Sequence, residues 1–468
     1  MKDDIFQFMA DYAKYYISNP STAPVYQEVD LNNLKNRLQA GLQESPKEPF
    51  QVIHQLIEDL EKGTINSSGS RFFGWVMGGH LKSALAADWL VSLWDQNVAL
   101  SASAPSLSII EEITGEWLKT ILGLPPQASY SFVTGCQLAH VTCLCSARHH
   151  LYCQMGYNIE KSGLYHLPPI KVIVSPKYHG SIRRALRFIG MGLENLIVLP
   201  ADPAGNINIE AYRYILQANQ SFPQMVILQA GDVNTGEFDA FAELIPLAHK
   251  YNAWVHIDGA FGLWVNASPA HQHLLAGVDT ADSWAIDGHK WLNVPFDSAY
   301  AFIRHRESHL AAMSHKESYL IHSSDFRDPI DWTPEWSRRG RALPTYAAIL
   351  ELGNEGIRDL IVRCCDLTKS LVAQLKESSF VKIESYPVIN QALVSFVYNK
   401  DGQAVNFTDS VLQRLQKRGK VFFGGTDWNN KRCMRISVCN WQTSQKDIDE
   451  TAIEIIVATN NVFNNNTP

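Results

Sequence analysis

Lys290 stands between His289 and Trp291 in SWAIDGHKW, immediately after an apolar run. A lysine held among apolar groups is desolvated, which disfavours its ammonium form and frees a nucleophilic amine. Such an amine forms an imine with an aldehyde. Asp258 closes a second apolar run, AWVHID. A carboxylate buried there needs a cationic partner, unless it serves as a helix N-cap before GAFG. His179 follows a third run, in VIVSPKYHGS. Ligands of open α/β sheets bind beyond the carboxyl ends of the strands, and these three groups all follow strand-like segments.

Pyridoxal phosphate supplies both missing partners, an aldehyde for Lys290 and a pyridinium nitrogen for Asp258. Keeping that nitrogen protonated preserves its electron sink. Its phosphate needs a cradle. SFVTGCQLAHVTCLCSAR reads as strand, glycine turn and helix, so the amides of Gly135, Cys136 and Gln137 would point from a helix N-terminus toward an anion. An ordinary strand–helix turn has the same pattern.

The elements that must position these groups lie between about 71 and 310. Helical patterns (IIEEITGEWLKTILG, HVTCLCSARHHLYCQM, HGSIRRALRFIG, FAELIPLAHKY) alternate there with short apolar runs: VIVS, LIVLP, MVILQA, AWVHID, SWAID and YAFI. Uniformly apolar strands between helices predict a mostly parallel sheet covered on both faces, an α/β fold. Residues 1–70 carry helical spacing without a compact core and read as an N-terminal arm. Residues 71–340 form the expected large domain. Within it, about 311–335 is polar, aromatic and proline-bearing, as functional loops are. Residues 341–468, with strand-like ALVSFVY, KVFFGG and MRISVC, are expected to form a smaller α+β domain.

Charged residues are only 19% and hydrophobic ones 46%, which suits a globular chain. A net charge of −7 argues against a nucleic-acid or anionic-membrane surface. No apolar stretch is long enough to span a bilayer, and the N-terminus lacks the apolar segment of a secretory signal. The cysteines show no CxxC spacing and read as reduced thiols of a cytoplasmic protein. No histidine pair has an acidic or thiol partner at ligand spacing, so no metal site is expected.

ADSWAIDGHKWLNVPFD, HIDGAFG and SPKYHGSIRRALRFIG resemble the lysine, aspartate and histidine segments of the group II pyridoxal-phosphate decarboxylases, which act on glutamate, aromatic amino acids, histidine or diaminobutyrate. The separations agree as well, 290 − 258 = 32 and 290 − 179 = 111. The likeness continues through RFFGWVMGG, SRRGRALPTYAAILELG and MRISVCNWQTSQKDID, from about residue 70 to the C-terminus. It implies the aspartate aminotransferase-like (type I) fold. By the same resemblance, Lys290 bonds the cofactor covalently, Asp258 pairs with its ring nitrogen and His179 stacks on the ring. Gly135, Cys136, Gln137 and His289 surround the phosphate, with Ser337 contributed by a partner subunit.

Arg435 falls where glutamate decarboxylases hold the α-carboxylate, although a surface strand arginine would read alike. Tyr319 falls where the family's mobile loop carries a catalytic tyrosine, and a packing residue is the alternative. Trp75, Met77, Gly78 and His80, with Phe73, are expected around the substrate, a mixture suited to an aromatic or medium-sized apolar side chain. The chain departs from the family at Thr134-Gly135-Cys136-Gln137, where a serine-rich or Ser-Gly-Gly-Thr turn is common. It departs again at Asp287, where some relatives have asparagine. A carboxylate there repels phosphate unless turned away, so Asp287 receives no phosphate role.

The implied reaction is decarboxylation of an L-amino acid. The Cα–carboxylate bond is held perpendicular to the ring, Asp258 stabilises the charge that develops, and Tyr319 or, second, His179 returns a proton to Cα. Relatives of this kind place their site at a homodimer interface. Fold does not fix reaction, so aldehyde synthesis, transamination or Cα–Cβ cleavage is the first alternative, and a non-catalytic binding protein the second.

Overall fold

The structure is a computed structural model and describes residues 4–18, 24–39, 41–42, 44–202, 205–315, 326–400 and 403–466. Two compact units emerge. One comprises His80–Asp366 with Pro387–Gln391, and the other Met1–Gly79, Leu367–Tyr386 and Ala392–Pro468.

The first unit is built on a seven-stranded sheet. Its strands are β1 (Ser129–Val133), β2 (Lys171–Val174), β3 (Leu196–Val198), β4 (Gln224–Gln229), β5 (Trp254–Asp258), β6 (Ser283–Asp287) and β7 (Ala299–Ile303), in the order β1-β7-β6-β5-β4-β2-β3. Strands β3, β2, β4, β5 and β6 run parallel, and β7 lies antiparallel to both β6 and β1. Every residue of β1, β4, β5, β6 and β7 is buried, which is why these segments read as continuous apolar runs rather than alternating ones. Helices Cys136–Gln154 and Gly180–Phe188 cover one face. Their Ala139, Cys143, Leu144, Ala147, Ile182 and Leu186 share a core with Val172, Val174, Met225, Ile227 and Ala285 from the strands.

Because β2, β5 and β6 are parallel, the residues that follow them collect along one rim of the sheet. Asp258 pairs in register with Ala285, so the ends of β5 and β6 are neighbours. The turn after β5 packs tightly onto the end of β4. A Cβ on Gly262 would lie 2.1 Å from the Ala230 carbonyl oxygen, so only glycine fits there.

The segment read as an irregular loop contains regular elements among its described residues. Helix Arg306–Met313 enters it and a 3-10 turn, Pro329–Trp332, lies near its end. Residues 316–325, including Tyr319, lie outside the described residues. On either side, Ser314 Oγ donates to Asp331 Oδ1 at 2.6 Å. Arg327 and Arg338 both grip the buried Glu111 carboxylate, at 3.0 and 2.6 Å. Arg338 also donates to the Phe132 carbonyl at 2.8 Å. Burying a carboxylate is costly unless cations and hydrogen bonds surround it, as they do here.

In the other unit, helices Ile5–Ser18, Leu31–Leu38 and Pro49–Leu60 bury none of their residues. A second sheet contains β8 (Val381–Ser385), β9 (Gln391–Lys400), β10 (Gln403–Asn406), β11 (Gly424–Trp428) and β12 (Lys431–Ser437), ordered β10-β9-β12-β11 with β8 also on β9. The expected strand KVFFGG starts only at Gly424. Phe422 instead bridges to Phe72 and stacks on its ring at 4.6 Å. Among the described residues, no helix is long and apolar enough to cross a membrane.

Candidate active site

Lys290 follows β6 by three residues, and its side chain turns back to Asp287 at the strand's end, Nζ to Oδ2 3.1 Å. Its Nζ also lies 5.8 Å from the Phe261 ring centre. Burial pushes the ammonium toward deprotonation. The Asp287 charge opposes it, aided by Cys136 and Asp258, and the net effect holds the pKa above the ordinary lysine value. This corrects the expectation that burial alone frees the amine. Together with Cys136 and Asp258, the Asp287 carboxylate three residues upstream outweighs the desolvation.

Asp287 is the hub of the rim. Its Oδ1 accepts the Cys136 amide at 2.7 Å and lies 3.5 Å from His289 Nε2. The carboxylate thus occupies one of the amides expected to face a phosphate. The Ser298 amide donates to His289 Nδ1 at 3.3 Å, which leaves the ring proton on Nε2, the nitrogen facing Asp287. Burial lowers the His289 pKa, and the neutral form is favoured.

Asp258 is 1% exposed. It does not cap a helix. Its Oδ1 accepts the Ala260 amide at 3.3 Å, and its Oδ2 faces His140 Nε2 at 3.7 Å. Cys136, His140 and Asp258 bring a thiol, an imidazole and a carboxylate within 4.8 Å of one another. Burial, reinforced by the Asp287 and Asp258 charges, pushes the Cys136 thiol well above its ordinary pKa. Burial also drives His140 and His256 down to about 3, so both are neutral.

Gly135 is the N-cap of helix Cys136–Gln154, and a Cβ there would meet His289 Cε1 at 3.7 Å. The helix N-terminus and His289 are therefore adjacent. Gln137 turns its side-chain amide to the Ser181 carbonyl, 3.2 Å away, while its backbone amide lies in the first turn, where no helical acceptor exists. His179 is exposed and caps the helix Gly180–Phe188, with Nδ1 2.8 Å from Ser181 Oγ.

The structure therefore gathers Lys290, Asp258, Cys136 and His289, with Gly135 and Gln137 at the same helix end. Ser337 belongs to the same unit and is exposed, next to the buried Arg338. His80 is partly buried, which lowers its pKa. Trp75, Met77, Gly78 and Arg435 belong to the other unit. Trp75 and Val76 both have left-handed backbones, φ 54° and 59°, and Trp75 packs against Phe422 at 4.9 Å. Two consecutive non-glycine residues in that region mark stored strain of the kind found at ligand clamps.

Sequence reasoning overlooked His140 and the hub role of Asp287. A signal for the first existed, since His140 follows Cys136 by four positions (140 − 136 = 4) and so shares its helix face.

These residues fit pyridoxal phosphate. The Lys290 amine lies near enough to the buried Asp258 carboxylate for its charge to help hold the lysine pKa up, and a wholly buried imidazole nitrogen, His140 Nε2, has no hydrogen-bond partner of its own. At the phosphate end, the Gln137 amide and the His289 Nε2–H are the donors on offer.

A family model, the pyridoxal-dependent decarboxylase conserved domain, matches residues 32–399. The aromatic-L-amino-acid decarboxylase of Bacillus atrophaeus is 24% identical over 455 residues, covering 94% of this chain and 92% of the relative. A phenylacetaldehyde synthase of Petunia hybrida is 22% identical over 462 residues, covering 94% of this chain and 90% of the relative. The crystal structure of Oryza sativa TDC with PLP and tryptamine superposes with a TM-score of 0.90 at 18% identity, over 98% of this chain and 97% of that one, and shows the same fold.

Proposed function

The chain belongs to the pyridoxal-dependent decarboxylase family, and from that membership we propose how its residues divide the work. It is a pyridoxal-phosphate-dependent carboxy-lyase with the type I fold, acting on amino acids, with aromatic or medium-sized side chains favoured by the names of its relatives. Pyridoxal phosphate, when bound, supplies the electron sink that accepts the pair released from the Cα–carboxylate bond.

Lys290 would provide the amine that anchors the cofactor. Asp258 holds the ring nitrogen, and its burial makes that charge pairing strong. The Gln137 amide and His289 Nε2 hold the phosphate, with Gly135 and Cys136 shaping the cradle. His179, at the open side, covers the ring. Tyr319 returns the proton to Cα, with His179 as its substitute. By the family resemblance, Trp75, Met77, Gly78 and His80 are assigned to the substrate side chain and Arg435 to the substrate carboxylate.

We place the enzyme in the cytoplasm, which agrees with its eight cysteines, none bonded to another. We read it as a homodimer. Helix Lys82–Trp94 supports this by exposing Trp89, Leu93 and Trp94 at 50, 72 and 48%, a face suited to a second copy.

The observation that carries the assignment is the run of contacts from the Lys290 amine to Asp287, from Asp287 to the Cys136 amide, and from the Cys136 thiol to within 4.8 Å of the Asp258 carboxylate. The test is a panel of common amino acids assayed for CO2, amine, aldehyde and ammonia. Stoichiometric CO2 and amine are expected, with aromatic substrates fastest. Predominant aldehyde would move the chain to the synthase reaction of its petunia relative.

A further inference from the structure

Behind Asp258 runs a chain of buried polar groups that the assigned chemistry leaves unused. Trp254 Nε1 lies 2.9 Å from Ser283 Oγ, and Ser283 Oγ lies 2.9 Å from His256 Nδ1. His256 Nε2 lies 3.0 Å from His140 Nδ1. His140 Nε2 faces Asp258 Oδ2 at 3.7 Å. All five residues are at most 2% exposed, so water does not satisfy these atoms and the protein must.

The carboxylate end of this wire sets its direction, and the indole end is compatible with it. An indole N–H can only donate and an ionised carboxylate can only accept. Trp254 therefore donates to Ser283, and the serine hydroxyl can pass its own proton to His256 Nδ1. His256 then carries its proton on Nε2 and donates to His140 Nδ1. His140 in turn must carry its proton on Nε2, toward Asp258. The reverse arrangement would point a bare lone pair of His140 at the carboxylate and leave both unsatisfied. Both imidazoles are neutral, so each holds one proton and the choice is binary.

We propose that His140 is a positioning residue that donates its Nε2–H to Asp258 and holds that carboxylate toward the cofactor's ring nitrogen, in the tautomer that the hydrogen bonds of His256, Ser283 and Trp254 accommodate. The proposal rests on the reading of Asp258 as the ring-nitrogen partner. The 3.7 Å separation exceeds a good hydrogen bond by about 0.8 Å, a distance that a small rotation of the carboxylate closes. Aligned hydrogen bonds polarise one another in a dry interior, so the wire strengthens the last donor. It plays for Asp258 the part that outer-shell partners play for the ligands of a metal.

Histidine-selective 15N labelling of the full chain, with His140→Asn identifying the resonance, reads the tautomer directly. Protonation at Nε2 is expected, and a proton on Nδ1 overturns the proposal. Titrating the cofactor-free chain with pyridoxal phosphate tests the consequence. His140→Leu, which cannot donate, should bind about tenfold more weakly, while His140→Asn, whose amide can, should stay within about threefold of the natural chain. Wild-type affinity in the leucine variant, or equal losses in both variants, overturns the role. Asp258→Asn is measured alongside. If it binds as tightly as the natural chain, the ring-nitrogen reading falls and the proposal with it. If it binds weakly and His140→Leu does not, only the proposal falls.

Discussion

The Cys136 amide donates to Asp287 Oδ1 at 2.7 Å while the other oxygen of the same carboxylate lies 3.1 Å from Lys290 Nζ. One side chain therefore ties the Lys290 amine to the N-terminus of helix Cys136–Gln154. Burial pushes Lys290 toward the free amine, Asp287 is the foremost influence opposing it, and the balance lies above the ordinary lysine value of 10.5. Only the unprotonated amine attacks an aldehyde. Asp287→Asn should thus lower the lysine pKa, quicken cofactor uptake near neutral pH and shift the rate–pH profile to lower pH. Absorbance-monitored reconstitution checks this, and a profile identical to that of the natural chain would remove Asp287 from the role.

Lys290→Ala should abolish CO2 release and the absorbance band of the lysine-bound cofactor, roughly 420 nm because the chromophore belongs to the cofactor. Ordinary turnover in that variant would refute the assignment.

Tyr319→Phe should keep the coloured complex and lower the amine yield, with aldehyde, ammonia and hydrogen peroxide rising as dissolved dioxygen takes the two electrons that, with the proposed acid removed, are no longer captured by a proton at Cα. Product ratios measured by chromatography decide it. An unchanged ratio would pass the role to His179.

Three buried imidazoles and one partly buried predict a specific acid lability. Burial lowers His140, His256 and His309 to about 3 and His150 to about 4, from an ordinary 6.5. The unfolded chain takes up protons there that the folded chain refuses. The stability they contribute is complete above pH 6.5 and is lost as the pH falls toward 4 and 3. Thermal unfolding near pH 5 should absorb about four protons from these groups. A transition temperature that stays flat between neutral pH and about pH 5 would contradict the burial argument.

The strands that carry the site were legible because they are buried on both faces: VIVS, AWVHID and SWAID are continuous apolar runs, and β2, β5 and β6 fall on them. Strands β8 and β10 were not, since both are largely unburied and have no apolar run to betray them. The antiparallel placement of β7 between β6 and β1 was also hidden, because strand order is a tertiary choice. Within the site, Lys290, Asp258 and His179 could be named from their place after each strand. The Asp287–Cys136 contact joins residues 151 apart in sequence, and no local pattern encodes it. The wire behind Asp258 draws on β5, β6 and a helix at once, so its members read as unrelated core residues until folded.

The grip of Glu111 on Arg338 reaches beyond local order. Arg338 is drawn inward and its neighbour Ser337 is left facing out. If Ser337 completes the phosphate site of a second copy, damage at Glu111 would be suffered by the adjoining subunit rather than by the chain that carries it. Mixed dimers of a Glu111→Ala chain and a Lys290→Ala chain would then contain no intact centre in one arrangement and one in the other, and the activity they recover would report which subunit lends the serine.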